Sequence, residues 1–150
     1  MKLFDSQYNL ALEQFLSSAP RYRVAILADD APISGENVIN MGRALATVIS
    51  TIDRHNELKF QFSVQEAVNQ IIQEHTFTEP NLGEVVIIAN SGILFEPELH
   101  IDVTELLRRI SRNKLVILLW PGEITKDKLS FIRPSSPYCI YQSEINYIVL

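Results

Sequence analysis

The hydrophobic positions of the chain follow two spacings. Apolar residues recur every three or four positions over residues 3–16, which predicts an amphipathic helix that ends before Pro20. A continuous apolar run follows over residues 22–28, and because turn-forming residues bound it, we expect a short buried strand. Residues 38–41 predict another short strand, which leads into a helix over about residues 43–52. The first third of the chain therefore combines helices with strands.

The middle of the chain carries a helix-initiation signal. Ser63 and Glu66 have the spacing of a capping box, in which each side chain bonds to the backbone amide of the other residue. This spacing predicts a helix over residues 64–75, and the polar residues 76–83 then predict a loop.

The second half of the chain has a strand, helix, strand pattern. Aliphatic runs at residues 84–90 and 114–120 predict buried strands. Between them, Asp102 and Glu105 repeat the capping-box spacing before a helix of about ten residues. Such units give parallel strands joined by a right-handed crossover.

Three short apolar segments near the C-terminus, at residues 129–132, 138–141 and 145–149, are bounded by prolines and polar residues. They predict antiparallel edge strands. The expected fold is α/β: a three-layer sandwich with a mainly parallel central sheet and antiparallel edge strands at the C-terminus.

Composition favours one globular domain over residues 1–150, because this length can bury a hydrophobic core and 47% of the residues are hydrophobic. The net charge of −5 is spread along the chain, which argues against non-specific attraction to nucleic acid or to an anionic membrane. Residues 1–5 lack a secretory-signal pattern, and no apolar run is long enough to span a bilayer. We therefore expect a cytoplasmic protein without a membrane partner.

The turn after the first strand is unsuited to phosphate binding. An α/β sheet often binds nucleotides through a glycine-rich turn whose backbone amides surround the phosphates. Here the turn contains Asp29 and Asp30, whose carboxylates would repel phosphate, with Gly35 as its single glycine and no lysine. The two aspartates are more typical of a turn or a helix cap than of a metal site.

The strand at residues 84–90 ends in Ala89 and Asn90, where a nucleotide hydrolase places an acidic residue that holds magnesium or orients water. Asn90 is a candidate hydrogen-bonding residue at the sheet edge. The sequence Asn90, Ser91, Gly92 is also typical of a simple turn.

The densest positive cluster is Arg108, Arg109, Arg112 and Lys114, and three of its members are expected to share the exposed side of one helix. The cluster is a candidate contact for phosphates or for an acidic partner. Alternatively, it is a solvated face whose cations are favourable near the helix C-terminus.

Four aromatic residues lie in or beside the C-terminal strands: Trp120, Tyr138, Tyr141 and Tyr147. Basic residues are not interleaved with them. They are therefore more typical of core or interface aromatics than of a platform on which nucleic acid bases stack.

No metal-ligand or nucleophile pattern is present. His55, His75 and His100 lack the spacing of zinc ligands, and Cys139 has no second cysteine with which to pair. We expect no metal, no cofactor and no complete catalytic set, and hence a protein that is not an enzyme.

A series of short motifs runs through the second half: an aliphatic strand ending in Asn90, then Ile93-Leu94-Phe95-Glu96-Pro97, Leu106-Leu107, Ser111-Arg112-Asn113, and a strand closing in Trp120 and Gly122. Through these motifs, residues 84–122, and more loosely 122–150, resemble the small P-loop proteins called BrxF of the bacterial BREX phage-exclusion systems. Residues 38–40 match a second strand of that family.

The resemblance implies a P-loop-NTPase-like fold, and the departures from the family pattern imply that it is degenerate. The Walker A loop is missing, and Ala89 and Pro121 stand where the family has an acidic and a polar residue. The resemblance therefore implies a pseudo-ATPase that serves as a non-enzymatic scaffold or adaptor in an antiviral defence complex. Its partners would be other protein subunits of that complex, with indirect contact to nucleic acid, and a homo-oligomer is a further option.

The candidate interaction residues are Arg108, Arg109, Arg112, Asn113, Asn90 and Trp120. Two alternatives stay open. One is an ATPase-like regulator that binds nucleotide through an unconventional loop at residues 29–37, with Arg112 stabilising charge. The other is an accessory protein that contacts DNA through the helix leading into residues 108–114.

Overall fold

The computed structural model describes residues 6–28, 37–125, 127–130 and 139–150. Its helices are α1 Ser6–Ser17, α2 Met41–Ile49, α3 Glu57–His75 and α4 Val103–Ser111, with short 3-10 helices at Ser91–Phe95 and Pro97–Leu99. Its strands are β1 Val24–Ala28, β2 Val38–Asn40, β3 Phe77–Glu79, β4 Gly83–Ala89, β5 Leu115–Trp120, β6 Glu123–Ile124, β7 Lys128–Ser130, β8 Cys139–Tyr141 and β9 Tyr147–Val149. Several predictions lie outside the described residues: those for residues 3–5, for the loop with Asp29, Asp30 and Gly35, for residues 131–132 and for Tyr138.

The centre of the protein is a six-stranded, mainly parallel sheet, which confirms the predicted fold class at this level. Strands β2, β4, β5, β1 and β9 lie side by side in that order, and each pairs in parallel with its neighbours. Helix α4 connects β4 to β5, and a helical crossover of this kind returns the chain to the same edge of the sheet. A second, three-stranded antiparallel sheet is formed by β6, β7 and β8.

The central sheet buries both of its faces, because successive side chains of a strand point to opposite sides. In β1, Val24 and Ile26 pack in a cluster that includes residues of α2, α3, α4 and the small sheet. Ala25 and Leu27 pack on the other face in a cluster that includes Leu12 of α1. The sheet is therefore the middle of three layers, with α1 on one side and the remaining helices on the other.

Helix α3 begins earlier than the sequence predicted. Its first residue is Glu57, the side chain of Asn56 accepts a hydrogen bond from the Lys59 amide at 3.1 Å, and Ser63 lies within the helix. The predicted start at residue 64 was wrong because Phe60, one turn before it, is 5% exposed and adds to the buried face of the helix. By contrast, the capping prediction at Asp102 is confirmed: its side chain accepts from the Glu105 amide at 3.1 Å and α4 begins at the next residue.

The segment predicted as a loop at residues 76–83 contains strand β3, which pairs antiparallel with the start of β4. Gly83 has φ of 78°, a backbone conformation that glycine adopts readily, and the Leu82 amide donates to the Glu79 carbonyl oxygen at 3.2 Å. This tight turn allows β3 to pair with β4. Strand β3 has three residues, and so short a strand shows no recognisable hydrophobic pattern in the sequence.

The C-terminal strands differ from the prediction of antiparallel edge strands. Strand β9 lies at the sheet edge but runs parallel to β1, and the short strands before it form the separate sheet. Two strands that follow each other in a sheet are parallel only if the chain returns between them to the end at which the first strand began. Here β6, β7 and β8 lie between β5 and β9 in the chain, and this long connection allows β9 to start at the same end as β1 and β5.

Candidate functional site

The carboxyl ends of the parallel strands are the first place to look for a binding site, because α/β proteins bind ligands beyond these ends. In this protein Asn40 closes β2, Asn90 follows β4, and Trp120 closes β5. The strand register brings Asn40 beside Ala89, the residue before Asn90. Two of the predicted interaction residues, Asn90 and Trp120, therefore lie at this edge.

Asn90 connects the end of β4 to the start of α2 through hydrogen bonds. Its backbone is left-handed, with φ of 53°, and its carbonyl oxygen accepts a hydrogen bond from the Gly42 amide at 3.0 Å. Its Nδ2 donates to Oδ1 of Asn40 at 2.8 Å. The Asn90 side chain thus bonds across two strands, which goes beyond the simple turn that the sequence also allowed.

Asn40 serves both as a partner of Asn90 and as the N-cap of α2. Its Oδ1 also accepts from the Arg43 amide at 3.1 Å. Two amides at the start of α2, those of Gly42 and Arg43, are therefore bonded to oxygen atoms of the chain itself. A helix start binds phosphate through such amides, so these two are not open to an anion.

Gly42 makes this close approach possible. A Cβ atom placed on Gly42 would lie 2.4 Å from Nδ2 of Asn90, far inside normal contact. The sequence interpretation missed both Asn40 and Gly42. An asparagine before a helix is a recognised N-cap signal, but contact with Asn90, fifty positions away, leaves no mark in the sequence.

Trp120 is part of the core rather than the surface, with 2% of its area exposed. Its indole Nε1 donates to the Ser130 carbonyl oxygen at 3.0 Å, and its ring meets that of Phe95 edge to face at 6.0 Å. Strand β7, which contains Ser130, belongs to the small sheet. Trp120 therefore ties the central sheet to the small sheet at the carboxyl edge.

Of the other three aromatic residues, Tyr141 and Tyr147 belong to the described part of the chain, and they do not form a common exposed face with Trp120. Tyr147 is buried, and burial, with a smaller effect from the charge of Asp127, raises the pKa of its phenol. Tyr141 is 42% exposed, and a hydrogen bond with Cys139 raises its pKa. A stacking platform for nucleic acid bases would require several rings exposed together.

The basic cluster lies at the amino ends of the parallel strands, whereas Asn90 lies at their carboxyl ends. Helix α4 ends at Ser111, whose carbonyl oxygen accepts from the Arg23 amide at 3.0 Å, just before β1 begins. The cations of this cluster therefore face the amino ends of the strands. Lys114, at the start of β5, donates to Oγ1 of Thr76 at 3.1 Å.

The arginines of α4 diverge instead of sharing one face. Arg108 donates through Nε and Nη2 to the Glu144 carbonyl oxygen at 2.9 and 2.7 Å, in the segment before β9. Arg109 turns to α3, where its Nη2 donates to Oδ1 of Asn69 at 2.7 Å. Arg112 and Asn113 are exposed at the end of the helix. Two of the three arginines that were expected to share an exposed helix face, Arg108 and Arg109, thus form tertiary contacts.

Replacing Arg108 with alanine is expected to lower the free energy of unfolding by about 1 kcal/mol, because two hydrogen bonds to a backbone carbonyl are lost from a partly exposed site. Arg112→Ala is the matched control, since Arg112 is exposed on the same helix end, and it should change stability by less than about 0.5 kcal/mol. Urea unfolding followed by circular dichroism measures both. Equal effects would contradict the structural role of Arg108.

In the described part of the chain, no three His, Cys, Asp or Glu side chains lie close enough together to hold a metal ion. The Ser91 side chain, beside Asn90, is buried, with 3% of the residue exposed. No helix among the described residues combines the length and the apolar character needed to cross a membrane.

Comparison with known proteins gives no relative: no protein-family model, no curated protein and no solved structure matches the chain.

Proposed function

We propose that this chain is a non-enzymatic scaffold or adaptor subunit of a bacterial antiviral, BREX-like, defence complex in the cytoplasm, with a degenerate P-loop-NTPase-like fold. The family likeness of residues 84–122 motivates the identity of the complex. The geometry at the carboxyl ends of the strands supports the loss of nucleotide chemistry.

The observation that carries the proposal is that the chain's own atoms occupy the carboxyl edge at β2 and β4. Asn90 bonds to Asn40 and to the Gly42 amide, and Asn40 bonds to the Arg43 amide. A nucleotide phosphate at this position would have to displace these bonds. Its negative charge would also find no cation from α4, whose arginines are at the other edge of the sheet.

The connection after β1 also supports the proposal. Strand β1 ends at Ala28 and β2 begins at Val38. Residues 29–37 are too few for both a phosphate-binding loop and the helix that follows it in a nucleotide-binding unit, since such helices commonly run for about 8–20 residues. The position of β1 between β5 and β9, inside the parallel sheet, is compatible with a nucleotide-binding fold that has lost this segment.

The two alternative functions receive no such support. A regulator that uses Arg112 with the loop at residues 29–37 would need Arg112 near the carboxyl end of β1, where that loop begins, but Arg112 follows α4 near the amino ends of the strands. DNA binding through α4 would need several arginines free to reach phosphates, but two of the three, Arg108 and Arg109, bond to Glu144 and Asn69.

Calorimetric titration with ATP and magnesium is expected to show no binding. Thermal unfolding in their presence should occur at an unchanged temperature, because only a ligand that binds the native state raises it. Measurable ATP turnover that is lost on substitution of Asp29 or Asn90 would overturn the proposal.

The adaptor role itself has a direct test. The chain is co-expressed with the other subunits of a BREX-like system, and it is expected to co-elute with at least one of them in size-exclusion chromatography. Elution of the chain alone under all such combinations would contradict the assignment to this class of complex.

A further inference from the structure

Helix α3 presents two large apolar side chains to solvent. Leu58 is 79% exposed and Phe62 is 62% exposed, and they lie four residues apart, so they are neighbours on the helix surface. The helix places its other large apolar residues in the core, so this pair is separate from its buried face. Adjacent exposed apolar residues commonly mark an interaction site.

Helical spacing relates this pair to a groove between α3 and α4. Gln65 lies three residues after Phe62 on the same side of the helix, and Asn69, four residues further, bonds to Arg109 of α4. This stripe therefore follows the flank of α3 that faces α4. Beside it is a cavity of about 180 Å³, and the residues that line it include Gln65, Ile101, Asp102, Glu105 and Leu106. Such a cavity can hold an anchoring side chain of a partner.

Three carboxylates lie at or beside this groove. Asp102 and Glu105 line it from the α4 side, and both are exposed. Glu57, at the start of α3, lies 3.6 Å from Nε2 of His100 and is exposed as well. Two cations are also present: Arg109, in the groove lining, is bonded to Asn69, and Nη1 of Arg108 lies 3.7 Å from Oε2 of Glu105, which leaves the Asp102 carboxylate without a cation of the described residues within 4 Å. An apolar stripe bordered by carboxylates is complementary to an apolar surface bordered by cations.

We propose that the groove between α3 and α4, with Leu58 and Phe62 at its rim, binds a basic amphipathic helix of another protein. The apolar face of that helix packs on Leu58 and Phe62, and its lysine or arginine side chains pair with Asp102 and Glu105. A second copy of the chain fits less well, because pairing two such grooves would bring their carboxylates together. The inference rests on the proposed adaptor function, for which it specifies the chemistry of the partner.

The test uses fluorescently labelled synthetic peptides of about 18 residues, long enough to form a helix on binding. One peptide has leucines at helical spacing flanked by lysines, and its twin has glutamates in place of the lysines. Anisotropy titration of the full chain is expected to show saturable binding of the lysine peptide, at least roughly tenfold tighter than binding of the twin. Equal affinity for the two peptides, or no binding of either, overturns the proposal.

Two variants locate the binding surface. Phe62→Gln is expected to weaken binding of the lysine peptide at least about tenfold, as loss of an interface anchor does. Leu10→Gln is the matched control, because Leu10 is 57% exposed on α1, on the other face of the sheet, and it should leave the affinity unchanged. Since both side chains are exposed, both variants should fold, which circular dichroism checks. Equal affinities of Phe62→Gln and the unchanged protein overturn the proposal.

Sedimentation of the chain over a range of concentrations tests the competing occupant. A dimer that Phe62→Gln dissociates would identify a second copy as the occupant and overturn the proposal, whereas a monomer throughout supports it. The peptide experiment and the ATP titration test different claims. If neither the peptide nor ATP binds, the groove is not a binding site, but the adaptor role is not contradicted. If the peptide binds and ATP is turned over, only the non-enzymatic role is contradicted.

Discussion

Replacing Trp120 with alanine is expected to lower the free energy of unfolding by about 3–5 kcal/mol, the range for a large aromatic side chain deleted from a core. The side chain is 2% exposed, packs edge to face on Phe95 and bonds to the Ser130 carbonyl oxygen. The substitution leaves a cavity between the two sheets and an unpaired carbonyl. Because domains of this size are stable by only about 5–15 kcal/mol, the variant should be only marginally folded.

The measurement is urea unfolding followed by far-ultraviolet circular dichroism, since Trp120 is the single tryptophan and fluorescence would be lost with it. Trp120→Phe is the matched control. It keeps an aromatic ring in the core but removes the donor to Ser130, and it should cost about 1–2 kcal/mol. A loss of less than about 1 kcal/mol for Trp120→Ala would contradict the role of this side chain as the link between the two sheets.

Replacing Gly42 with alanine is expected to destabilise the protein, although alanine favours a helix over glycine by about 1 kcal/mol. The new Cβ would lie 2.4 Å from Nδ2 and 3.0 Å from Cγ of Asn90. The Asn90 side chain must then move and lose its 2.8 Å bond to Asn40. We expect a net decrease of about 1–2 kcal/mol in the free energy of unfolding.

The same substitution should change sign when Asn90 is glycine. Asn90 has φ of 53°, which glycine adopts without strain, so Asn90→Gly removes the obstructing side chain and keeps the backbone. In that background Gly42→Ala is expected to raise the free energy of unfolding by up to about 1 kcal/mol, because only the helix preference remains. A double-mutant cycle measured by urea unfolding gives the coupling energy directly. Equal effects of Gly42→Ala in both backgrounds would show that the close approach to Asn90 is not what requires glycine.

These two experiments concern the carboxyl ends of neighbouring strands. Trp120 lies at the end of β5 and bonds to Ser130, whereas Asn40, Gly42 and Asn90 bond to one another at the ends of β2 and β4. If both predictions hold, the side chains at the carboxyl ends of β2, β4 and β5 contribute to the stability of the fold.

The elements predicted correctly are those whose signal is local. The aliphatic strands at β4 and β5 agree with the structure to within one residue at each end, because continuous apolar runs of this length must be buried. The cap at Asp102 was also recognisable, since an N-cap involves residues three positions apart. The start of α3 was misplaced, because the signal at Ser63 lies within the helix, and burial of Phe60 extends the helix back to the cap at Asn56.

The candidate site was predicted only in part. Asn90 was recognised as a hydrogen-bonding residue at a strand end, but its partner Asn40 and the need for Gly42 depend on β2 lying beside β4. The arginines of α4 looked like one cluster in the sequence, whereas their long side chains reach α3 on one side and the segment before β9 on the other. Sequence spacing locates side chains on a helix, but neighbouring elements determine where flexible ones point.

The sequence by itself determined the α/β class, the two central strands, the crossover helix between them and the lack of a glycine-rich turn after β1. Each of these depends on hydrophobic spacing or residue type within a short stretch, which the chain carries locally. Only the tertiary structure decided that β9 is parallel to β1, that Trp120 is buried, and that Asn40, Gly42 and Asn90 close the sheet edge. Those features arise from contacts between residues far apart in the chain, and their geometry exists only once the strands have taken their order in the sheet.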